Sequence, residues 1–110
     1  MKRWDYIVVF ITCAKKAEAE KISEELVRNG LAACVNVVPE ISSIFSWKGK
    51  LEKSGELLLM AKTRLSSFEE LEKRVKAMHS YEVPEIIALP IACGNDAYMN
   101  WLDEVLARPC

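Results

Sequence analysis

Sixteen residues from Ala32 to Trp47 read as β-structure interrupted only at Pro39, and that length restricts the fold more than any other feature. At the usual strand rise they would span roughly 50 Å, whereas a chain of this size folds to a radius of gyration of about 13 Å. Part of the ribbon must therefore project beyond the body that anchors it. The projecting part carries Ile41, Ile44, Phe45 and Trp47, and its return leg adds Leu51. Left bare, such side chains form an aggregation-prone edge.

A second feature makes the same demand. Ile7-Val8-Val9-Phe10-Ile11 and Leu57-Leu58-Leu59-Met60-Ala61 are apolar at odd and even positions alike. That pattern marks a sheet buried on both faces. Another subunit is expected to cover the projecting hairpin and the sheet face that helices leave open.

The remaining elements follow from periodicity and punctuation. Tyr6 to Thr12 is the first strand. A helix over Ala14 to Asn29 places Ala19, Ile22 and Leu26 on one face and stops at Asn29-Gly30. Leu31 to Val38 is the second strand, with a bend or bulge at Pro39. Lys48-Gly49 turns a hairpin between Ile41–Trp47 and Lys50–Lys53. Gly55 is expected to bulge opposite Pro39 before Glu56 to Thr63 resumes a buried strand.

Ser66 and Ser67, each three residues before Glu69 or Glu70, carry capping-box signatures for a helix lined by Phe68, Leu71, Val75 and Met78. Glu85 to Cys93 is a fourth strand, ended by Gly94. Asn95 or Asp96 caps a last helix that turns Tyr98, Trp101, Leu102 and Val105 inward, and Pro109 follows its end. The order is βαββαβ with a trailing helix. It predicts a single α+β domain over residues 1–110, a ferredoxin-like sandwich with an extended β-hairpin and an extra C-terminal helix.

Charge and composition exclude some functions. Fifteen Lys and Arg stand against sixteen Asp and Glu, for a net charge of -1, with no basic stripe to meet phosphates. A nucleic-acid partner is therefore not expected. No apolar run approaches membrane-spanning length, and Ile7 to Ile11 is too short for a signal peptide, so a cytoplasmic location without a membrane partner is expected. Cys13, Cys34, Cys93 and Cys110 form no C-x-x-C pair and read as reduced thiols, with the terminal Cys110 exposed to oxidation.

The only histidine, His79, opens the run His-Ser-Tyr-Glu-Val-Pro-Glu, where Pro84 forbids helix and stiffens the connector. His79 offers a metal ligand tuned by a neighbouring carboxylate, or else a side chain resting on a helix C-terminus. Cys34 offers a soft ligand for Cu(I), or else a small core residue. Met78 completes an apolar helix face. Cys13 lies near a helix start that could activate it, but no partner base is indicated. Trp47 and Trp101 either wall a pocket or cover an interface. Glu56 and Lys62 face a cleft together with His79, Tyr81 and Glu85, or pair at the strand ends.

The runs Ala32-Ala33-Cys34-Val35-Asn36-Val37-Val38-Pro39, Trp47-Lys48-Gly49-Lys50 and His79 through Pro90, together with Glu56, Lys62-Thr63 and Tyr98-x-x-Trp101-Leu102, carry a family resemblance. In order and spacing the chain resembles the CutA divalent-cation tolerance proteins. The resemblance implies a ferredoxin-like homotrimer with hairpins reaching across neighbours and no catalytic activity. It also implies association with copper or another divalent cation, none tightly bound, and metal residues His79 and Cys34. Where some members carry a cysteine before the threonine that ends the first strand, Ile11 stands here. Cys13 follows Thr12, a position expected to have left the strand.

An alternative is a small-molecule sensor. The trimeric signalling proteins of nitrogen control share this architecture and bind ligands in intersubunit clefts. On that reading Trp47, Glu56, Lys62, Tyr81 and Glu85, with His79, form the cleft. An acylphosphatase-like enzyme is a third reading, against which stands the lack of a phosphate-cradling loop or a paired arginine and asparagine.

Overall fold

In the computed structural model, which describes residues 5–107, strand β1 (Tyr6–Cys13) is the spine of a four-stranded antiparallel sheet. It lies between β3 (Lys50–Arg64) and β4 (Ile86–Pro90), and β2 (Cys34–Trp47) flanks β3, giving the order β2-β3-β1-β4. Pro109 and Cys110 lie outside the described residues. Odd residues of β1 bury one face: Ile7, Val9, Ile11 and Cys13 meet Leu59 and Ala61 of β3. Helices α1 (Lys16–Arg28) and α2 (Phe68–Met78) close that face with Ala19, Ile22, Leu26, Leu71 and Val75. The fold is α+β and ferredoxin-like, as the element order predicts.

Several boundaries differ from expectation. Strand β1 continues through Cys13, so only Ala14 and Lys15 remain as a connection and α1 starts at Lys16. Its C-terminus ends as predicted, with Gly30 at φ 69° and its N–H donated to the Val27 carbonyl. The capping box does not form. Leu65–Ser67 is a 3-10 turn, which leaves Ser67 with a helical backbone and no side-chain cap bond. Strand β4 is shorter than Glu85–Cys93 because β1 begins at Tyr6. The Ile91 N–H to Tyr6 carbonyl bond is the last rung between them.

The bulge is where Pro39 predicted it, but Gly55 is not part of it. Val38 pairs with Leu58 and Ile41 with Glu56, so Pro39 and Glu40 together oppose Leu57, while Gly55 pairs regularly with Ser42. Glu40 takes the left-handed conformation, at φ 56°. The extra residue reverses the alternation of β2. Before it, Cys34, Asn36 and Val38 lie beside Lys62, Met60 and Leu58; after it, Phe45 and Trp47 lie beside Glu52 and Lys50, on the same face as Glu56. Lys48 and Gly49, both at positive φ, then close the hairpin as expected.

Helix α3 (Asp96–Ala107) covers one end of the other sheet face. Met99, Leu102 and Leu106 pack on Tyr6 and Ala33, a set spaced i, i+3, i+7. Tyr98 and Trp101 were expected inward with Leu102. They sit one position further round the helix, exposed, with ring centroids 5.5 Å apart, and Val105 is only half-buried.

A polar contact pins α3. Asp103 accepts the Tyr6 hydroxyl at 2.6 Å and Arg64 Nη2 at 2.8 Å. Hydrogen bonding from Tyr6, then from Arg64, holds the Asp103 carboxyl below the usual range. The contact therefore stabilises the fold fully above the unfolded carboxyl value of about 4, and loses that effect as pH falls through the lower folded value. Asp103→Asn is expected to unfold more readily than the native chain at neutral pH. The two urea midpoints should converge in acid.

The rest of this second face is open. Ile87 and Leu89 are half exposed, and Val8, Phe10, Val38, Leu58 and Met60 complete an apolar surface that no helix among the described residues covers. The hairpin projects as its length requires, exposing Ile44 at 65% and Leu51 at 72%, and the molecule extends 44 Å along its longest axis.

Candidate functional site

Three element ends meet around His79. It caps α2, and its ring is fully buried. The Tyr81 backbone N–H donates to Nδ1 at 3.0 Å, so Nε2 carries the ring proton and donates to the Thr12 carbonyl at 2.7 Å. Neither nitrogen rests on the helix dipole alone. Cys13 ends β1 on the same face as Ile11, contrary to the expectation that it has left the strand. Glu18, in the first turn of α1, lies with Oε2 4.0 Å from His79 Nδ1 and accepts the Ser80 N–H at 2.8 Å.

The sulfur of Cys13, a carboxylate oxygen of Glu18 and a ring nitrogen of His79 all lie within 4.8 Å of one another. Burial, then the charges of Glu18 and Glu56, pushes the Cys13 thiol up to about 12. At neutral pH that favours the protonated thiol over the nucleophilic thiolate, which counts against the catalytic reading of Cys13. Sequence reasoning missed Glu18. The available signal was the spacing: a carboxylate five residues beyond a strand-ending cysteine, on the helix that turns back over it.

A groove lies on the far side of Tyr81. The Tyr81 ring lies tilted against His79 with centroids 4.7 Å apart, and its hydroxyl donates to Glu56 Oε2 at 2.7 Å. Burial first, then the bond to Glu56, pushes the Tyr81 hydroxyl up to about 12, so it stays a donor. Trp47, Glu56, Tyr81 and Glu85 all line this cavity, of about 780 Å³, between the hairpin arm and the connection from α2 to β4. Four of the five expected cleft residues are therefore gathered within one chain.

Two expected residues stand apart. Lys62 pairs with Val8 and Cys34 in the sheet, and its ammonium donates to the Asn36 side chain rather than facing Glu56. Cys34 lies beside it, against Tyr98. Cys13 pairs with Leu57, five residues along β3 from Lys62, a separation of roughly 16 Å. Cys34 and His79 thus cannot hold one ion within a chain, because strand register places them at opposite ends of the sheet.

A βαββαβ sandwich with an overlong hairpin and a buried histidine at the α2 terminus defines a narrow class, and comparison with known proteins gives the same class. Residues 7–105 match the model of the CutA1 divalent ion tolerance protein family, and the chain belongs to that family. It is 50% identical over 97 residues to the divalent-cation tolerance protein CutA of Thermus thermophilus, covering 88% of this chain and 94% of that one. Against the chloroplastic CutA of Arabidopsis thaliana it is 47% identical over 96 residues, and spans 53% of that longer protein. The solved structure described as the periplasmic divalent cation tolerance protein CutA of Archaeoglobus fulgidus superposes with a TM-score of 0.88 at 42% identity, covering 92% of this chain and 98% of that one. These names describe no catalytic activity. Among the described residues no helix is long and apolar enough to cross a membrane.

Proposed function

We propose that this protein is a non-enzymatic, homotrimeric divalent-cation binder that takes copper or a similar ion weakly at Cys13, Glu18 and His79. The observation that carries the reading is the convergence of these three donor atoms to within 4.8 Å. Ligand atoms around a four-coordinate ion, bonded at about 2.0–2.3 Å, stand about 3.5 Å apart, so a closure of about 1 Å suffices. Thiolate and carboxylate together would neutralise a divalent charge in this buried place, and imidazole suits copper and zinc alike. The ring nitrogens are already satisfied by Tyr81 and Thr12, which fits weak rather than tight binding. Cys34, the other expected ligand, would act only separately.

The open apolar face and bare hairpin support the trimer, since both need cover. The free thiols of Cys13, Cys34 and Cys93 suit a reducing compartment, the cytoplasm of the sequence reading.

Titration calorimetry with copper and zinc tests the site. Cys13→Ala is expected to weaken binding at least tenfold while leaving the fold intact. Affinity should rise with pH, about tenfold per unit where one thiol proton is released. Unchanged binding by Cys13→Ala, or affinity flat with pH, would remove Cys13 from the site.

A further inference from the structure

Two of the three buried donors are held by the connector that follows His79. The Ser80 backbone N–H donates to Glu18 Oε1 at 2.8 Å, and the Ser80 hydroxyl to Oε2 at 3.2 Å. The next backbone N–H, that of Tyr81, donates to His79 Nδ1 at 3.0 Å. Successive N–H groups thus aim their positive ends at the carboxylate and the ring that a cation would take.

The consequences differ for the two ligands. A carboxylate has lone pairs on both oxygens, so Glu18 can take an ion on Oε2 and keep Ser80 on Oε1. A neutral imidazole has a single lone pair and a single N–H. An ion on Nδ1 uses the lone pair that now accepts from Tyr81. An ion on Nε2 moves the ring proton to Nδ1, where it meets the Tyr81 N–H as a second donor. Either way the ion and the Tyr81 bond exclude each other.

Tyr81 does not move alone. Its ring lies against that of His79, and its hydroxyl donates to Glu56, opposite Ile41 where the hairpin arm begins. Tyr81, Glu82, Val83 and Glu85 all line the groove under that arm, and Pro84 stiffens the segment they share. A shift at the Tyr81 amide is carried to the groove wall.

We propose that the connector from Ser80 to Glu85 is a metal-operated switch, closed on His79 through the Tyr81 amide without an ion and released from it when one binds. This rests on Cys13, Glu18 and His79 taking an ion, as proposed above.

Zinc is the probe, with calorimetry for binding and amide exchange followed by NMR on the full chain. On binding, exchange at the Tyr81 amide is expected to quicken about tenfold, the loss of one hydrogen bond. The His79 amide, which donates to the Val75 carbonyl, should keep its rate. Tyr81→Phe removes the bond to Glu56 that helps hold the connector closed, so by reciprocity it should bind zinc about threefold to tenfold more tightly. A purely structural Tyr81 would give the opposite sign. Zinc binding that leaves Tyr81 exchange unchanged, or quickens both amides alike, overturns the switch alone. So does equal or weaker binding by Tyr81→Phe. A chain that takes no zinc overturns the metal site and the switch with it.

Discussion

Ile87→Lys is expected to release single chains of 12.5 kDa from the proposed trimer, as read by light scattering at low micromolar concentration. Ile87 pairs with Phe10 at the centre of the open face and is 51% exposed within one chain. A substitution at so exposed a place changes the stability of the chain itself by only about 0.5 kcal/mol. In the assembly the same lysine would meet the apolar side chains of a neighbour, with no carboxylate of its own face in the adjacent β1 positions. Burying an unpaired ammonium costs several kcal/mol, enough to dissociate the complex. A native chain that already runs as a monomer would sink the trimer. A trimeric Ile87→Lys would show that the contact lies elsewhere.

His79→Ala is expected to lower folding stability by about 2–4 kcal/mol, measured by urea denaturation, as well as to weaken metal binding. The ring is fully buried and makes three contacts: with the Thr12 carbonyl at the end of β1, with the Tyr81 amide, and with the tilted ring of Tyr81. Removing it strands two backbone groups and leaves a cavity beneath the connector. Cys13→Ala removes one small buried group and strands no backbone partner, so its stability loss should be clearly smaller. The pair thereby separates a structural histidine from a ligating one. Equal stability losses would mean that the ring bonds hold nothing in place, and a metal affinity unaltered in His79→Ala would exclude the histidine as a ligand.

Local patterns carried the fold. The 3.6-residue spacing of Ala19, Ile22 and Leu26 and the Lys48-Gly49 turn are statements about neighbours along the chain, and each formed as read. Errors arose where two local signals competed. Ser66 and Ser67 look like helix caps until the 3-10 turn claims their backbone. Gly55 looks like a bulge because glycine tolerates unusual φ, yet a glutamate, Glu40, took the left-handed position beside Pro39, and Gly55 stayed in register. On α3 the aromatic residues attracted the inward assignment on size, whereas the buried stripe is Met99, Leu102 and Leu106.

Site residues were legible as types but not as groups. His79, Tyr81 and Glu85 lie close in sequence, so their proximity could be read directly, and Trp47 and Glu56 line the same groove as Tyr81 and Glu85. Cys34 and Lys62 could not be separated from that set without the register of β2 on β3. Register depends on the Pro39–Glu40 bulge and on which strand β1 chooses as neighbour, both outcomes of packing. Glu18 was invisible for the same reason. Its carboxylate meets His79 across sixty-one positions, a contact that exists only once α1 and α2 lie side by side on the sheet.

The sequence by itself determined the strand and helix order, the apolar sheet that needs two covers, and the stiff connector that holds the histidine. Those properties follow from side-chain period, proline geometry and chain length, which act over a few residues. Only the tertiary structure decided that Cys13 and Glu18 join His79, that Cys34 does not, and that Glu56 shares a groove with Trp47 while Lys62 is turned away. Such choices are made by strand register and helix packing, where one inserted residue moves a whole row of side chains to the opposite face.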